Sequence, residues 1–109
     1  MKRILFICSQ NYLRSPTAET VFKGKENLEV RSAGMDSNAV SVVTDEILQW
    51  AHYIFVMEKA HRDTLQKKYS KAITGKRLVC LDIPDEYDYM DPELVMLLES
   101  RVTRYLLDE

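Results

Sequence analysis

The feature that most constrains the fold is a regular alternation of short apolar runs with helix-forming segments. Residues 3–7 (RILFI), 53–57 (YIFVM) and 77–81 (RLVCL) are largely apolar and rich in β-branched or aromatic residues, and residues 28–34 (LEVRSAG) form a shorter run that closes on a glycine. Such runs are typical of strands that are covered on both faces of a parallel sheet. The alternation therefore predicts an α/β protein built from βαβ units.

Four segments have helical spacing of apolar residues: 16–25, 45–51, 58–69 and 92–107. Ser15 suits the position that caps the first of them, and Pro16 suits its first turn. Thr44 suits the cap of the second. Residues 35–44 read as an exposed connection. We thus expect one three-layer domain over residues 1–109, in which helices flank a four-stranded parallel sheet.

Composition excludes several functional classes. The chain has 109 residues, 29% of them charged, and a net charge of −2, so it has no general basic field for nucleic acid. Its longest apolar runs are too short for a signal peptide or a membrane span, and we expect a cytoplasmic protein that does not bind membranes. The cysteines and histidines lack metal-ligand spacing, and we expect no metal and no cofactor. These residues are Cys8, Cys80, His52 and His61.

The segment between the first strand and the first helix carries the chemistry. It reads CSQNYLRS over residues 8–15, with a cysteine at the strand end and Arg14 where the helix begins. Backbone N–H groups of such a turn, together with the helix N-terminus, can hold an anion, and a guanidinium matches two phosphate oxygens. The same positive environment favours the thiolate of Cys8. Ser15 is close enough in sequence to donate to the sulfur, and Asn11 tolerates the left-handed conformation that a tight anion-binding turn often needs.

The stretch ILFICSQNYLRSPTAETVF, residues 4–22, closely resembles the phosphate-binding loop of low-molecular-weight protein tyrosine phosphatases. The resemblance implies a sheet order of 2-1-3-4, Cys8 as the nucleophile and Arg14 as the clamp on the phosphoryl oxygens. It also implies that Ser15 steadies the thiolate and that Asn11 shapes the loop. Because RSAG at 31–34 is similar to the family's second strand end, Ser32 is expected to support the loop through Asn11. The implied phosphate-binding residues are Ser9, Gln10, Asn11, Tyr12, Leu13, Arg14 and Ser15.

The acidic loop after the fourth strand supplies a candidate general acid. The family carries an aspartate followed by proline and two tyrosines there, and this chain has DIPDEYDY over residues 82–89. Alignment on the resemblance implies Asp85 as the acid, with Tyr87 and Tyr89 at the pocket rim. Asp82 and Asp88 remain alternatives for the acid. A positioned carboxylic acid that protonates a leaving oxygen contributes about 10²–10⁴-fold to the rate.

The chain departs from the family in two places. It is short around residues 35–46, where other members carry part of the wall of the substrate pocket, so the pocket is expected to be shallower or to be completed by another subunit. Leu13 stands where many members have a second cysteine, so a disulfide within the loop is impossible. Cys80, on the strand before the acidic loop, is expected in the core, although it could alternatively trap an oxidised Cys8.

The predicted function is a metal-independent phosphomonoester hydrolase of the protein tyrosine phosphatase type, acting through a cysteinyl-phosphate intermediate. Its partner would be a phosphorylated protein or a small phosphoester. One alternative is an arsenate reductase, which needs further redox-active cysteines. Another is a phosphocarrier or phosphate-binding protein without turnover, which would not need Arg14 or Asp85. The sequence leaves the oligomeric state open.

Overall fold

The predicted apolar runs pair edge to edge in one parallel sheet. In the computed structural model, which describes residues 1–107, the strands are β1 (Lys2–Cys8), β2 (Leu28–Gly34), β3 (Tyr53–Val56) and β4 (Arg77–Cys80). Their order is β2-β1-β3-β4, as expected. The two runs predicted at 53–57 and 77–81 each end one residue earlier. The predicted domain extends over two further residues, 108 and 109, which lie outside the described residues.

The strand β1 lies at the point where the chain changes direction across the sheet. It pairs with β2 on one side, with Cys8 opposite Gly34, and with β3 on the other, with Ile7 opposite Val56. The carboxyl ends of all four strands thus reach one edge of the sheet. A switch of strand order at this edge opens a crevice where α/β proteins bind ligands. Cys8 is the last residue of the central strand at that crevice.

Four helices cover the two faces of the sheet. They are α1 (Arg14–Phe22), α2 (Asp45–Trp50), α3 (Lys59–Lys68) and α4 (Pro92–Leu107). One apolar cluster joins Phe6 and Phe55 of the sheet to Phe22 of α1 and Leu98 of α4. A second cluster on the other face joins the sheet to α2 and α3. The alternating side chains of β1 feed both clusters, which is why its sequence is a continuous apolar run.

The start of the first helix differs from the prediction of 16–25. Helix α1 begins at Arg14, its N-cap is Leu13 without a capping side chain, and Pro16 is its third residue. Ser15 is therefore not the cap, because its hydroxyl contacts the Cys8 sulfur and accepts from the Asn11 side chain instead. Pro16 is tolerated because the N–H groups of the first turn have no intrahelical partner. The helix ends at Phe22 rather than at residue 25.

The other helix boundaries agree within one or two residues. Thr44 caps α2 as predicted, accepting from the Ile47 N–H at 3.2 Å. The helix predicted at 58–69 is shorter, because Glu58 and Tyr69 are its caps. The last helix occupies the predicted range. None of the helices described over residues 1–107 has the length and apolar character needed to cross a membrane.

Candidate active site

The segment from Cys8 to Ser15 forms a tight loop between β1 and α1. Asn11 has φ 54°, the left-handed conformation expected for it. The carbonyl groups of Cys8, Ser9 and Gln10 point outward, and they accept from the N–H groups of Met35, Asp36 and Val40 at 2.9, 2.8 and 3.0 Å. Among the hydrogen bonds described for residues 1–107, none is donated by the backbone N–H groups of residues 10–13. These groups therefore remain available for an anion.

The segment after β2, predicted as an exposed connection, is the outer support of this loop. Its amides make the three hydrogen bonds above, and Gly34 allows the close approach. A Cβ at Gly34 would lie 2.7 Å from the Ser9 carbonyl oxygen, 2.9 Å from the Asn11 nitrogen and 2.6 Å from the Ala39 Cβ. Two of these neighbours are backbone atoms of the loop itself. The loop therefore requires glycine at position 34.

A chain of hydrogen bonds runs behind the loop to the sulfur of Cys8. The Asn11 side-chain N–H₂ group donates to the Ser15 hydroxyl at 2.8 Å and to the Ser32 hydroxyl at 2.9 Å. The Ser32 hydroxyl in turn donates to the Glu19 carboxylate. With its oxygen accepting from Asn11, Ser15 can direct its own hydrogen to the Cys8 Sγ, which lies 3.0 Å away, or to the more distant Ala33 carbonyl oxygen at 3.5 Å. The contacts implied for Asn11, Ser15 and Ser32 are all present, whereas Glu19 is an addition that the sequence did not suggest.

Arg14 is held in place by Glu58 and by the Ile83 carbonyl group. Its guanidinium is only 2% exposed, and Nη1 donates to the Glu58 Oε2 and to the Ile83 carbonyl oxygen, each at 2.8 Å. Its Nε lies 3.8 Å from the Asp85 Oδ1, which is beyond hydrogen-bond distance. A buried guanidinium needs such partners, because an unpaired buried charge is costly. Glu58 was missed from the sequence, although it follows β3 at the same edge of the sheet as Cys8.

His61 joins Glu58 to the loop. Its Nδ1 accepts from the Glu58 backbone N–H at 3.2 Å, and its Nε2 lies 2.9 Å from the Ser9 hydroxyl. Burial lowers the pKa of this imidazole, and Arg14 lowers it further, while Glu58 and Asp36 oppose the shift. In the sequence analysis His61 was considered only as a metal ligand, and its contact with the loop was not suggested. Its position in the sequence was a usable signal. His61 lies three residues after the cap Glu58, where a side chain can bond back to the backbone N–H of the cap residue.

These elements enclose one pocket at the carboxyl end of β1. Its lining consists of Cys8, Ser9, Gln10, Tyr12, Leu13, Arg14 and Asp85. The thiol is only 3% exposed and lies against a pocket that opens to solvent, whereas the Tyr12 side chain is 65% exposed. Of the three candidate acids, Asp85 lines this pocket. Asp82 lines two other depressions, and Asp88 lies beyond them in a turn.

A comparison with family models matches residues 3–84 to the low molecular weight phosphotyrosine protein phosphatase family. The chain belongs to this family. Its members are cysteine-dependent phosphatases that act on phosphorylated substrates, and the placement of Cys8 at the start of the strand-to-helix loop fits that chemistry. The predicted reaction class is thereby confirmed, and nothing favours an arsenate reductase. Among curated proteins, none matches the chain significantly in sequence.

Solved structures of this phosphatase fold resemble the chain over nearly its whole length. The YwlE arginine phosphatase of Geobacillus stearothermophilus is 23% identical, with a TM-score of 0.78 over 99% of this chain and 94% of that one. The Vibrio vulnificus Wzb in complex with benzylphosphonate is 20% identical, with a TM-score of 0.79 over 99% of both chains. The Streptococcus pyogenes low molecular weight protein tyrosine phosphatase is 18% identical, with a TM-score of 0.78 over 99% and 93%.

The two tyrosines expected at the pocket rim, Tyr87 and Tyr89, are not among the residues that line the pocket. Tyr87 is half-buried and packs against the apolar cluster that contains α1 and α4. The Tyr89 hydroxyl lies 2.8 Å from the Thr20 hydroxyl, on the outer side of α1. Within the described residues, the aromatic side chain that lines the pocket is Tyr12, which belongs to the loop between β1 and α1. This loop therefore supplies an aromatic side chain to the pocket, a role that the sequence analysis did not assign to Tyr12.

Cys80 does not share the pocket. It ends β4, is half-buried, packs against the cluster that contains α2 and α3, and is a free thiol like Cys8. Its placement agrees with the expectation of a packing role. Among residues 1–107, no cluster of three or more histidine, cysteine or carboxylate side chains could hold a metal ion.

Proposed function

We propose that this chain hydrolyses aryl phosphate monoesters, with phosphotyrosine in proteins as the substrate class, and that Cys8, Arg14 and Asp85 carry the reaction. The observation behind the proposal is that a thiol, a buried guanidinium and a carboxylate line one pocket beside free backbone N–H groups. The amides of residues 9–15 and Arg14 would bind the three non-bridging phosphate oxygens. Ser15, Asn11 and Ser32 would support the loop from behind.

In the first step, the Cys8 thiolate attacks phosphorus in line with the leaving oxygen. The S–P bond forms, the P–O bond to the aryl group breaks, and the leaving oxygen takes a proton from Asp85. The Ser15 hydroxyl steadies the sulfur at 3.0 Å. Arg14 and the loop amides favour the transition state because charge on the equatorial oxygens redistributes towards them.

In the second step, water attacks the phosphorus of the cysteinyl phosphate. Asp85, now a carboxylate, accepts a proton from the water, the P–S bond breaks, and Cys8 leaves as a thiolate. Inorganic phosphate then departs. Asp85 suits both steps because it lies at the open side of the pocket and is 65% exposed, where it can contact either a leaving group or a water.

The aromatic side chain of Tyr12 supports an aryl substrate. It stands exposed at the pocket that holds Cys8, where a phenyl ring joined to the bound phosphate would emerge. Offset or edge-to-face contacts between aromatic rings contribute about 0.5–1.5 kcal/mol beyond burial. We therefore expect Tyr12→Ala to lower kcat/KM for phosphotyrosine peptides more than for a small alkyl phosphate.

Phosphoarginine is a second candidate substrate, since the structurally similar YwlE of Geobacillus stearothermophilus is an arginine phosphatase. A guanidinium can stack on the face of Tyr12 and can lie near the Asp85 carboxylate at the same mouth. Parallel assays of matched peptides carrying phosphotyrosine, phosphoarginine and phosphoserine separate the two candidates. A higher kcat/KM for phosphoarginine would replace phosphotyrosine as the assigned substrate.

The decisive experiment compares wild type, Cys8→Ser and Cys80→Ser with an aryl phosphate in the presence of a metal chelator. Wild type and Cys80→Ser should turn over and should be inhibited by vanadate, while Cys8→Ser should lose activity. Acid quenching during turnover should trap one phosphoryl group on Cys8, which mass spectrometry can locate. Tight phosphate binding without turnover in wild type would instead support the carrier or binding alternative.

We also propose a cytoplasmic location. Both described cysteines are free thiols, and a nucleophilic thiolate must stay reduced, which the cytosol ensures. Fractionation of cells that express the tagged chain tests this, and recovery in an oxidising compartment would contradict it.

A further inference from the structure

We propose that His61 is a positioning residue of the phosphate loop, residues 8–15. One ring nitrogen contacts the Ser9 hydroxyl, and the other accepts from the backbone N–H of Glu58, whose carboxylate holds Arg14. The proposal deepens the function proposed above and rests on it. His61 does not contact the reacting atoms. It acts through the residue that follows the nucleophile and through the partner of the guanidinium clamp.

The hydrogen bonds define one tautomer of the ring. Because Nδ1 accepts from the Glu58 backbone N–H at 3.2 Å, that nitrogen carries no proton. In the neutral ring the proton is then on Nε2, which donates to the Ser9 hydroxyl at 2.9 Å. The residue is 6% exposed, so few other partners compete for these two nitrogens. Neutral His61 therefore bridges α3 and the phosphate loop in a single orientation.

Each end of this bridge leads to the proposed chemistry. Ser9 lines the pocket next to Cys8, and its carbonyl oxygen is fixed by the Asp36 N–H at 2.8 Å. Its hydroxyl is fixed by His61, so Ser9 is held from two separate elements. At the other end, Glu58 is the cap of α3, and its Oε2 accepts from Arg14 at 2.8 Å. Fixing the Glu58 backbone therefore limits where the carboxylate, and with it the guanidinium, can lie.

The charges around the ring favour the neutral form that the bridge needs. Burial lowers the pKa of His61, and the Arg14 guanidinium lowers it further. The carboxylates of Glu58 and Asp36 act in the opposite direction and do not outweigh the two. Protonation would place a hydrogen on Nδ1 and remove the acceptor for the Glu58 N–H. It would also place a cation 3.8 Å from the Glu58 Oε2, in competition with Arg14.

The test is a double-mutant cycle on His61 and Ser9, with the inhibition constants of vanadate and sulfate as the readout. In His61→Asn the shorter amide can still accept from the Glu58 N–H but does not reach Ser9. In Ser9→Ala the same hydrogen bond is lost from the other side. One hydrogen bond contributes about 0.5–1.5 kcal/mol, so each single variant should weaken oxyanion binding roughly 2–12-fold. The double variant should be no weaker than the weaker single variant.

Matched variants distinguish positioning from a general packing role. His61→Gln can present an amide N–H₂ group to Ser9 and should retain more oxyanion affinity than His61→Asn. Ser9→Thr keeps the hydroxyl and should bind more tightly than Ser9→Ala only when His61 is present. Additive losses in the cycle, or unchanged affinity in His61→Asn, would overturn the proposal. Should His61→Asn fail to fold, His61→Gln combined with Ser9→Ala and Ser9→Thr provides the same comparison.

The outcome is separable from that of the proposed function. Oxyanion affinity is measured by competition in wild type and by direct calorimetry in Cys8→Ser, which needs no turnover. If Cys8→Ser kept full activity, the catalytic assignment would fail while the cycle could still be read by calorimetry. If Cys8→Ser is inactive but the cycle is additive, the positioning role of His61 alone is wrong.

Discussion

Two loops meet at the candidate active site, and they are held in opposite ways. In the phosphate loop, Cys8, Asn11, Arg14 and Ser15 are each at most 5% exposed. Asn11 is bonded to Ser32 of β2, and Arg14 is bonded to Glu58 after β3. In the acidic loop after β4, by contrast, Asp85 is 65% exposed. Apart from the buried Ile83 and half-buried Tyr87, that loop lies largely at the surface. One loop is a buried binding frame, and the other presents its carboxylate to solvent.

The difference corresponds to two chemical tasks. A binding site for phosphoryl oxygens needs donors that are already in position, because reorganisation during the reaction would cost much of the electrostatic stabilisation. A general acid must reach leaving groups of different shape and must also face a water in the second step. Rigidity therefore suits the first loop, and exposure suits the second.

The largest effect is expected when the exposed loop loses its acid. Asp85→Asn should lower kcat for aryl phosphates by about 10²–10⁴-fold, because the leaving oxygen no longer receives a proton. The affinity for sulfate should change little, because Asp85 lies 3.8 Å from Arg14 and does not hold it. Stopped assays and competition with sulfate measure both quantities. Asp88→Asn is the matched control, and a slower Asp88 variant would move the acid to that residue.

The next largest effect is expected when a methyl group is added at Gly34, next to the phosphate loop. Gly34→Ala places a Cβ 2.7 Å from the Ser9 carbonyl oxygen and 2.9 Å from the Asn11 nitrogen, so the loop backbone must shift. Overpacking of this kind costs about 1–3 kcal/mol, which urea denaturation can measure. Activity should fall together with stability.

Gly24→Ala is the control for this prediction, because a Cβ there meets no atom within 4 Å. It should keep wild-type activity. A Gly34→Ala variant with full sulfate affinity would show that the phosphate loop is more adaptable than its buried contacts indicate.

The third prediction concerns His61, which contacts the phosphate loop, and the pH dependence of the free energy of unfolding. The pKa of His61 is lowered from its unfolded value of about 6.5. The unfolded chain therefore binds the proton more readily, so the free energy of unfolding should decrease as pH falls below that value. Above about pH 6.5 the contribution of His61 to stability is complete. As pH falls, this contribution decreases until pH reaches the lower pKa of His61 in the folded chain.

Urea titrations between pH 8 and pH 5 would measure this slope in wild type and in His61→Asn, where it should be shallower. His52→Asn gives the same chemical change at an exposed histidine, so the difference between the two variants isolates His61. Equal slopes in the two variants would contradict the prediction.

The buried phosphate loop and the exposed acidic loop also differ in how well the sequence predicts them. The apolar runs predicted the sheet because a strand covered on both faces must be apolar at nearly every position. The residues from Cys8 to Ser15 predicted the phosphate loop because their contacts are local, and Asn11 and Ser15 lie where expected. Ser15 was wrongly assigned as a helix cap, since a serine before proline has the same signature whether its hydroxyl binds a backbone amide or a sulfur.

Contacts between segments that are distant in the sequence could not be predicted from local residue patterns. Glu58 and His61 reach the phosphate loop only because β3 lies beside β1 in the sheet. The tyrosines of the acidic loop were expected at the pocket rim, but the path of an exposed loop depends on a few anchors that leave no pattern in the sequence. One such anchor is the hydrogen bond from the Met90 N–H to the Thr17 hydroxyl, at 2.9 Å.

The smallest effect is expected from removing that hydrogen bond. It tests directly whether the position of the acidic loop depends on helix α1. Thr17→Val keeps the volume but removes the acceptor for Met90, and one hydrogen bond contributes about 0.5–1.5 kcal/mol. Thr17 also donates to the Leu13 carbonyl oxygen at 2.7 Å, so sulfate affinity must be measured in parallel. If the acidic loop alone loosens, kcat should fall several-fold while sulfate affinity is retained. Thr20→Val, which removes only the exposed contact with Tyr89, should change kcat less. Equal losses of kcat and sulfate affinity in Thr17→Val would mean that the two loops are positioned as one unit, and the contrast drawn between them would not hold.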